Sequence, residues 1–263
     1  VRPIPLGEFH RARVDLLRAH VAFAAGHWRE APVLLLQAAR RLERFDLELA
    51  RETYLTAWGA AGLAGDDLAT QDVLFEICHA ARALPSTEGA QRPLDLLLDG
   101  LALLITDGTA AAMPTLRRAV SAVAEMSVAG VLRWGWVAVG ASAAVWNDAS
   151  MNQIVVRQVQ IVRDAGALAT LPIHLTYMGH VTAWLGDLAG AASFVAEGDS
   201  VAAATGSRFP PYTLLRLRAL QGREAEASSA ITSAIASFGE EGMTATRSRW
   251  AAARCWAELF HSS

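Results

Sequence analysis

Seven histidines stand at positions 10, 20, 27, 79, 174, 180 and 261. Two histidines hold a metal from one helix when they sit four apart on one face, as in HExxH. No pair here has that spacing; His174 and His180 are six apart and fall on nearly opposite faces of a helix. Ser142 lies in Gly140-Ala-Ser-Ala-Ala144, which lacks the second glycine of a nucleophile elbow. Its expected role is small-residue packing. Asp95 and Asp99 are one helix turn apart and could divide acid and base work between them. Any polar stripe on a helix has the same spacing, and that is the expected reading. Arg40, Arg41 and Arg44 are balanced by Glu43 and Glu48, the pattern of a solvated helix face rather than a phosphate patch. No catalytic residue and no metal ligand is assigned, so the expectation is a protein that is not an enzyme.

All 23 basic residues are arginine, because the 263 residues contain no lysine. This excludes a P-loop lysine, a Schiff-base lysine and a kinase-type ATP contact within the chain. No cofactor is expected. The net charge of −3 argues against direct nucleic-acid contact, which needs a concentrated positive surface. With 53% hydrophobic and 19% charged residues the chain can bury a sizeable core and is not disordered. Cys78 and Cys255 lie far apart with no second ligand type nearby, as two buried thiols of a reducing cytoplasm would. Residues 165–186 carry no Asp, Glu or Arg, yet they include Gly166, Pro172, His174 and His180 between acidic flanks. A buried helix after a turn is expected there, not a membrane span. The chain starts at Val1 with no apolar leader, and is expected to be part of a longer protein.

The elements that carry these residues repeat. Helix-ending Gly, Asp or Asn residues precede new apolar runs at Gly26, Asp66, Asp107, Asn147, Gly186 and Gly222, in steps of 40, 41, 40, 39 and 36. Seven residues upstream of each stand Ala19, Gly59, Gly100, Gly140, Gly179 and Leu215. Nine downstream the column is wholly apolar: Leu35, Phe75, Leu116, Val156, Val195 and Ile231. Twelve downstream it reads Ala38, Cys78, Ala119, Val159, Gly198 and Ala234. Five downstream, Ala31, Ala112, Ala191 and Ala227 agree, while Gln71 and Asn152 do not. A small residue midway along a first helix lets a second helix approach closely, so the unit is a helix–turn–helix repeat. The expected helices are 8–25, 29–44, 47–64, 67–84, 92–106, 110–125, 130–146, 150–165, 168–185, 189–204, 211–221, 224–238 and 244–260, with an exposed loop at 85–91. The fold class is all-α, with six helix pairs and a terminal helix in a single domain spanning 1–263.

Trp136, Val139, Gly140 and Ala143, then Met178, Gly179, Gly186, Ala191 and Val195, fall where the tetratricopeptide repeat (TPR) places its signature residues. The chain therefore resembles a TPR-like right-handed superhelix. The runs at 34–61, 94–108, 133–148, 157–175, 202–212 and 221–227 also resemble the helical-repeat region of the large LuxR-type regulators of actinobacteria. In that family an ATP-binding STAND-type module precedes the repeats and a LuxR helix-turn-helix ends the protein. The resemblance implies that ATP and DNA belong to those parent domains, and that this chain senses a small-molecule inducer or a partner protein. A pure protein–protein scaffold is the alternative. In TPR-like stacks the first helices line a concave groove. Carrying those positions over gives Leu94, Leu97, Leu101, Leu104 and Ile105; Trp134, Val137 and Ala141; Ile173, Thr176, His180 and Trp184; and Phe209, Tyr212 and Arg216. Trp134, Thr176, His180, Trp184, Tyr212 and Arg216 are the candidate ligand- or partner-binding residues. Trp58 and Trp136 are expected in the core.

Overall fold

Helix is the regular structure found throughout the described residues, which in this computed structural model are 7–64, 68–85, 91–145, 148–206, 211–223 and 225–233. Eleven helices are bounded there: α1 (Glu8–Ala24), α2 (Glu30–Leu42), α3 (Leu47–Ala64), α4 (Leu68–Arg82), α5 (Pro93–Thr106), α6 (Thr109–Ala124), α7 (Val128–Ala144), α8 (Asp148–Asp164), α9 (Leu171–Trp184), α10 (Leu188–Thr205) and α11 (Tyr212–Leu220). Residues 225–233 are helical as well. The expected helix 244–260, together with Phe209, Cys255 and His261, lies outside the described residues, as does the packing around Gly140. None of the described helices is long and apolar enough to cross a membrane.

The boundaries follow local chemistry. Gly186 ends α9 with φ of 91°, a conformation in which a side chain would be strained. The two amides that follow close back onto the helix: Gly186 N–H donates to Ala183 O at 3.1 Å and Asp187 N–H to Thr182 O at 3.1 Å. Asp187 then begins α10, its carboxylate accepting from Gly190 N–H at 2.8 Å. One short Gly-Asp step thus closes one helix and caps the next. At the other end of α9, Pro172 sits in the first turn, where its missing N–H costs nothing. That places the start at Leu171 rather than at the expected residue 168.

The helices fall into two compact units. The first holds α1 to α5 and α6 as far as Ala119; the second holds α6 from Val120 and α7 to α11. In the first, α2 packs on α1 and α3, α3 on α4, and α3 also touches α5. Buried between neighbours, α3 hides Ala50, Tyr54, Ala57, Gly59, Ala60, Ala61 and Ala64 on several faces. A helix enclosed this way has little amphipathic contrast, and small residues permit the close approach. In the second unit α8 packs on α7 and α9, and α10 on α9 and α11. Here α9 touches both α7 and α11, so first helices of successive pairs stack on one another, as in a TPR-like repeat. Its core joins Val139, Val155, Val159, Val162, Leu171, Leu175 and Val181.

The repeat columns are partly realised. Ala31, Ala112, Ala191 and Ala227 are all fully buried, as are Leu35, Leu116, Ala38 and Ala119. Phe75 and Val156, however, are 50% and 44% exposed. In α4 the buried positions are Thr70, Ile77, Cys78 and Ala81. In α8 they include Ile154, Val155, Gln158, Val159 and Val162. Both helices are rotated by one position relative to the expected register. These are the two repeats in which Gln71 and Asn152 broke the alanine column, so the slip was marked by those polar residues.

The mid-helix glycines are contact points. A methyl carbon on Gly100 would lie 2.8 Å from Leu116 Cδ2 and 3.3 Å from the Leu116 backbone nitrogen. On Gly179 it would lie 2.6 Å from Thr213 Cγ2. By contrast, Gly62 on exposed α3 surface has nothing within 4 Å of that position. Gly100→Leu should therefore overpack and destabilise by about 1–3 kcal/mol. Gly62→Ala should stabilise by up to about 1 kcal/mol. Two denaturant melts check the pair, and equal effects would refute the close contact at Gly100.

Candidate functional site

The candidate residues sit on α7, α9 and α11. On α9, Thr176, His180 and Trp184 fall one turn apart; on α11, Tyr212 and Arg216 do the same. The two helices are tied where Thr213 Oγ1 donates to the Thr176 carbonyl at 2.8 Å. One turn further along, the Arg216 guanidinium lies 5.2 Å from the centre of the Trp184 ring. Trp184, His180 and Arg216 are half-buried, while Tyr212 is 4% exposed. Thr176 donates its hydroxyl to Pro172 O at 2.9 Å. Thr176 and Tyr212 also line a small cleft of about 50 Å³ with Asp199, whose carboxyl is pushed up by burial. That is room for a water or two, not for a ligand.

Several described arginines of this unit have oxygen partners. Arg157 donates to Met126 O at 2.7 Å, Arg163 chelates Glu197, and Arg218 and Arg223 share Glu226 at 3.0 and 3.4 Å. Among the described residues Arg216 has the Trp184 ring as partner and no carboxylate. Burial alone pushes its pKa down. A partly desolvated guanidinium resting on an indole face keeps its donors available for an anion.

The structure brings Trp184 to Arg216 and Thr176 to Tyr212. Trp134 stands on α7 and is 6% exposed, with Arg133 at 5.0 Å over its ring. Trp136 is half-buried, the reverse of the expected assignment of Trp136 to the core and Trp134 to a groove. The physical reason is helical phase: Val131, Trp134, Ala138 and Ala141 form one buried ridge, and Trp136 lies off it. Trp58 is likewise half-buried.

The other chemical candidates resolve into structure. Ser142 is 1% exposed and donates to Ala138 O at 3.4 Å. Arg40 pairs with Glu76 at 2.8 Å and Arg41 with Asp15, both on the surface. Cys78 is a free thiol whose pKa burial pushes up to about 12, which makes it a poor nucleophile. Among the described residues no three His, Cys, Asp or Glu side chains are placed to hold a metal ion.

Asp95 and Asp99 both serve Arg51, which sequence reasoning did not connect to them. Arg51 is 4% exposed; its Nε lies 2.6 Å from Asp95 Oδ1 and its Nη2 2.5 Å from Asp99 Oδ1. Arg92 adds Nε to Asp95 Oδ2 at 2.9 Å. Burial alone would raise the Asp95 pKa. The hydrogen bonds and charges of Arg92 and Arg51 outweigh it and hold the carboxyl below its usual value. Asp95 is thus held ionised between two guanidiniums, and Asp99 shares Arg51 with it. The cluster fastens α5 to α3.

A second buried polar group is His174, 1% exposed, whose Nδ1 faces Thr170 O at 2.9 Å. Its Nε2 and the Oε1 of Gln158 are buried with no hydrogen-bond partner. The sequence signal that could have found this pair is Gly135, an extra mid-helix glycine outside the repeat column.

Two outcomes follow. Asp95→Ala should cost about 3–5 kcal/mol, because it removes the buried partner of Arg51 and leaves that guanidinium only the partly exposed Asp99. Arg163→Ala, at a half-exposed pair, should cost less than about 1 kcal/mol. Comparable losses in urea melts would refute the clamp. For His174, burial lowers the pKa more than the Thr170 contact raises it. The unfolded imidazole, with its ordinary value of 6.5, therefore binds a proton at higher pH than the folded one. Its contribution to stability is full above that value and is lost as pH falls from there toward the folded value. His174→Gln should flatten the drop in stability between about pH 7.5 and 5.5; an unchanged slope would contradict a buried neutral imidazole.

No family model matches this sequence, and no curated protein matches it. The chain is similar to the solved structure of a Rap protein complexed with competence and sporulation factor, at 11% identity and a TM-score of 0.39, over 96% of this chain and 81% of that one.

Proposed function

We propose that this chain is a non-enzymatic recognition region that binds its partner on the face shared by α9 and α11. The observation that carries the reading is Arg216, a half-buried cation stacked on Trp184 with no carboxylate partner among the described residues. A partner that sets a carboxylate on the guanidinium and an apolar group on the indole would satisfy both, with His180 and Tyr212 beside them. The repeat architecture supports this reading, since stacked helix pairs offer extended surfaces rather than enclosed reaction chambers.

On the LuxR resemblance, such a region would lie in the middle of a cytoplasmic transcriptional regulator. In that setting an inducer or partner protein would bias the parent's STAND-type ATPase and helix-turn-helix between resting and active states. ATP and DNA would be handled by those domains, and the repeat region would touch neither. If the chain were a scaffold alone, protein partners would bind and small acids would not.

The test is a thermal-shift panel of aromatic carboxylic acids and short peptides ending in a free carboxylate, each paired with its neutral amide. The acids should raise the melting temperature and the amides should not. Trp184→Ala should weaken binding by at least about 1 kcal/mol. Arg216→Leu should erase the preference for acid over amide. Acid and amide acting alike on the wild-type protein would refute recognition through Arg216.

A further inference from the structure

Helix α1 is apolar on two opposite sides. Over its 17 residues Ala12, Leu16, Ala19 and Ala22 are buried, and α2 packs on it. Helical phase centres the opposite side on Val14, Leu17, Val21 and Ala24. Leu17 is 64% exposed and Val21 68% exposed, one turn apart on that side. A helix surface turned to solvent is ordinarily polar along its middle. A contiguous apolar stripe there is the mark of a contact surface.

The borders of the stripe carry charge of one sign. Arg13 and His20 run along one edge, Arg11 and Arg18 along the other. The carboxylates of α1, Glu8 and Asp15, fall on the α2-facing half by the same phase. Asp15 is engaged by Arg41 of α2. Arg18 lies 3.4 Å from Asp15 while its side chain stays 73% exposed. Arg13 sits 5.9 Å from the centre of the Phe9 ring, and Arg11 is exposed. Among the described residues neither Arg11 nor Arg13 has a carboxylate partner.

We propose that the α1 face formed by Val14, Leu17, Val21 and Ala24 docks an amphipathic helix of another protein, one with acidic residues on both sides of its apolar stripe. Shape and charge select that occupant. A narrow stripe of aliphatic side chains one turn apart matches the apolar ridge of a helix. Arginines on both borders match flanking Glu or Asp, as edge charges do in paired helices. A second copy of the chain would set these arginines against their own kind, a repulsion that disfavours self-pairing. An anionic membrane would meet the charge. Yet a helix that lies in a membrane surface buries a wide apolar face with bulky anchors, and this stripe is narrow and holds no aromatic residue. The face belongs to the first unit, so the proposal is independent of recognition by α9 and α11.

The test titrates the whole chain against two fluorescent helical peptides of about 20 residues, the length that spans α1. One carries a Leu stripe bordered by Glu; the other has Lys at every Glu position. Fluorescence anisotropy should show the Glu peptide binding, with an affinity that falls as salt rises. The Lys peptide should bind at least about tenfold more weakly. Leu17→Gln combined with Val21→Gln should weaken the Glu peptide by at least about tenfold. The melting temperature should hold, since both side chains are exposed. Arg11→Gln with Arg13→Gln should flatten the salt dependence. Both peptides binding alike would overturn the proposal, as would a Glu peptide indifferent to the Leu17/Val21 variant. No binding of the Glu peptide up to about 0.1 mM would do the same. So would a wild-type dimer that the Leu17/Val21 variant dissociates, which assigns the face to a second copy. Phosphatidylserine vesicles that bind the wild type and not that variant would assign it to a membrane and equally overturn the proposal.

Discussion

The close approach of neighbouring helices is the constraint on which the rest depends. A single helix pair cannot bury both of its faces, so each pair must be covered by the next. That is feasible only where one side chain is small enough for another to enter. Gly100 receives Leu116, Gly179 receives Thr213, and the fully buried alanines at 31, 112, 191 and 227 serve the same purpose in the second helices. Position Gly179 also decides the candidate site. By letting Thr213 reach the α9 backbone, it sets α11 against α9 so that Arg216 comes over Trp184.

The first unit admits one matched set of charges to its interior. Arg51 is surrounded by Asp95 and Asp99, and Arg92 completes the set from the next turn. Pairing of opposite charges at this buried point fixes α5 against α3. Arg216 has no carboxylate partner among the described residues, and on our proposal that makes it a recognition group rather than half of a structural ion pair.

Much of the fold was legible because helix ends and helix periods are local. Gly26, Gly186 and Gly222 mark ends that the structure confirms with positive φ. The register slips of α4 and α8 were legible too, since Gln71 and Asn152 interrupt an alanine column at those two repeats. The Arg51–Asp95 contact was not, because it joins residues 44 apart through packing of α3 on α5 that no local pattern encodes. Nor was the order of burial in Trp134-Gly-Trp136. Those residues are two apart, so a small rotation of α7 exchanges which one faces the core. On α9 and α11 the helical spacing did predict which side chains share a face. That Arg216 lacks a carboxylate depends on where Glu226 stands, and the structure puts it with Arg218 and Arg223.

On our proposal Arg216 is a cation with no counter-ion among the described residues until a partner binds. The most direct measurement is the stability of the unliganded Arg216→Met variant by urea denaturation at neutral pH. Removing a desolvated charge that has no counter-ion returns its desolvation cost, against a cation–π contact worth about 0.5–2 kcal/mol. The account therefore predicts that the variant is as stable as the wild type or more so. A loss of about 3 kcal/mol or more, the scale of a broken buried pair, would show that Arg216 already has its partner within the chain, and would contradict the claim.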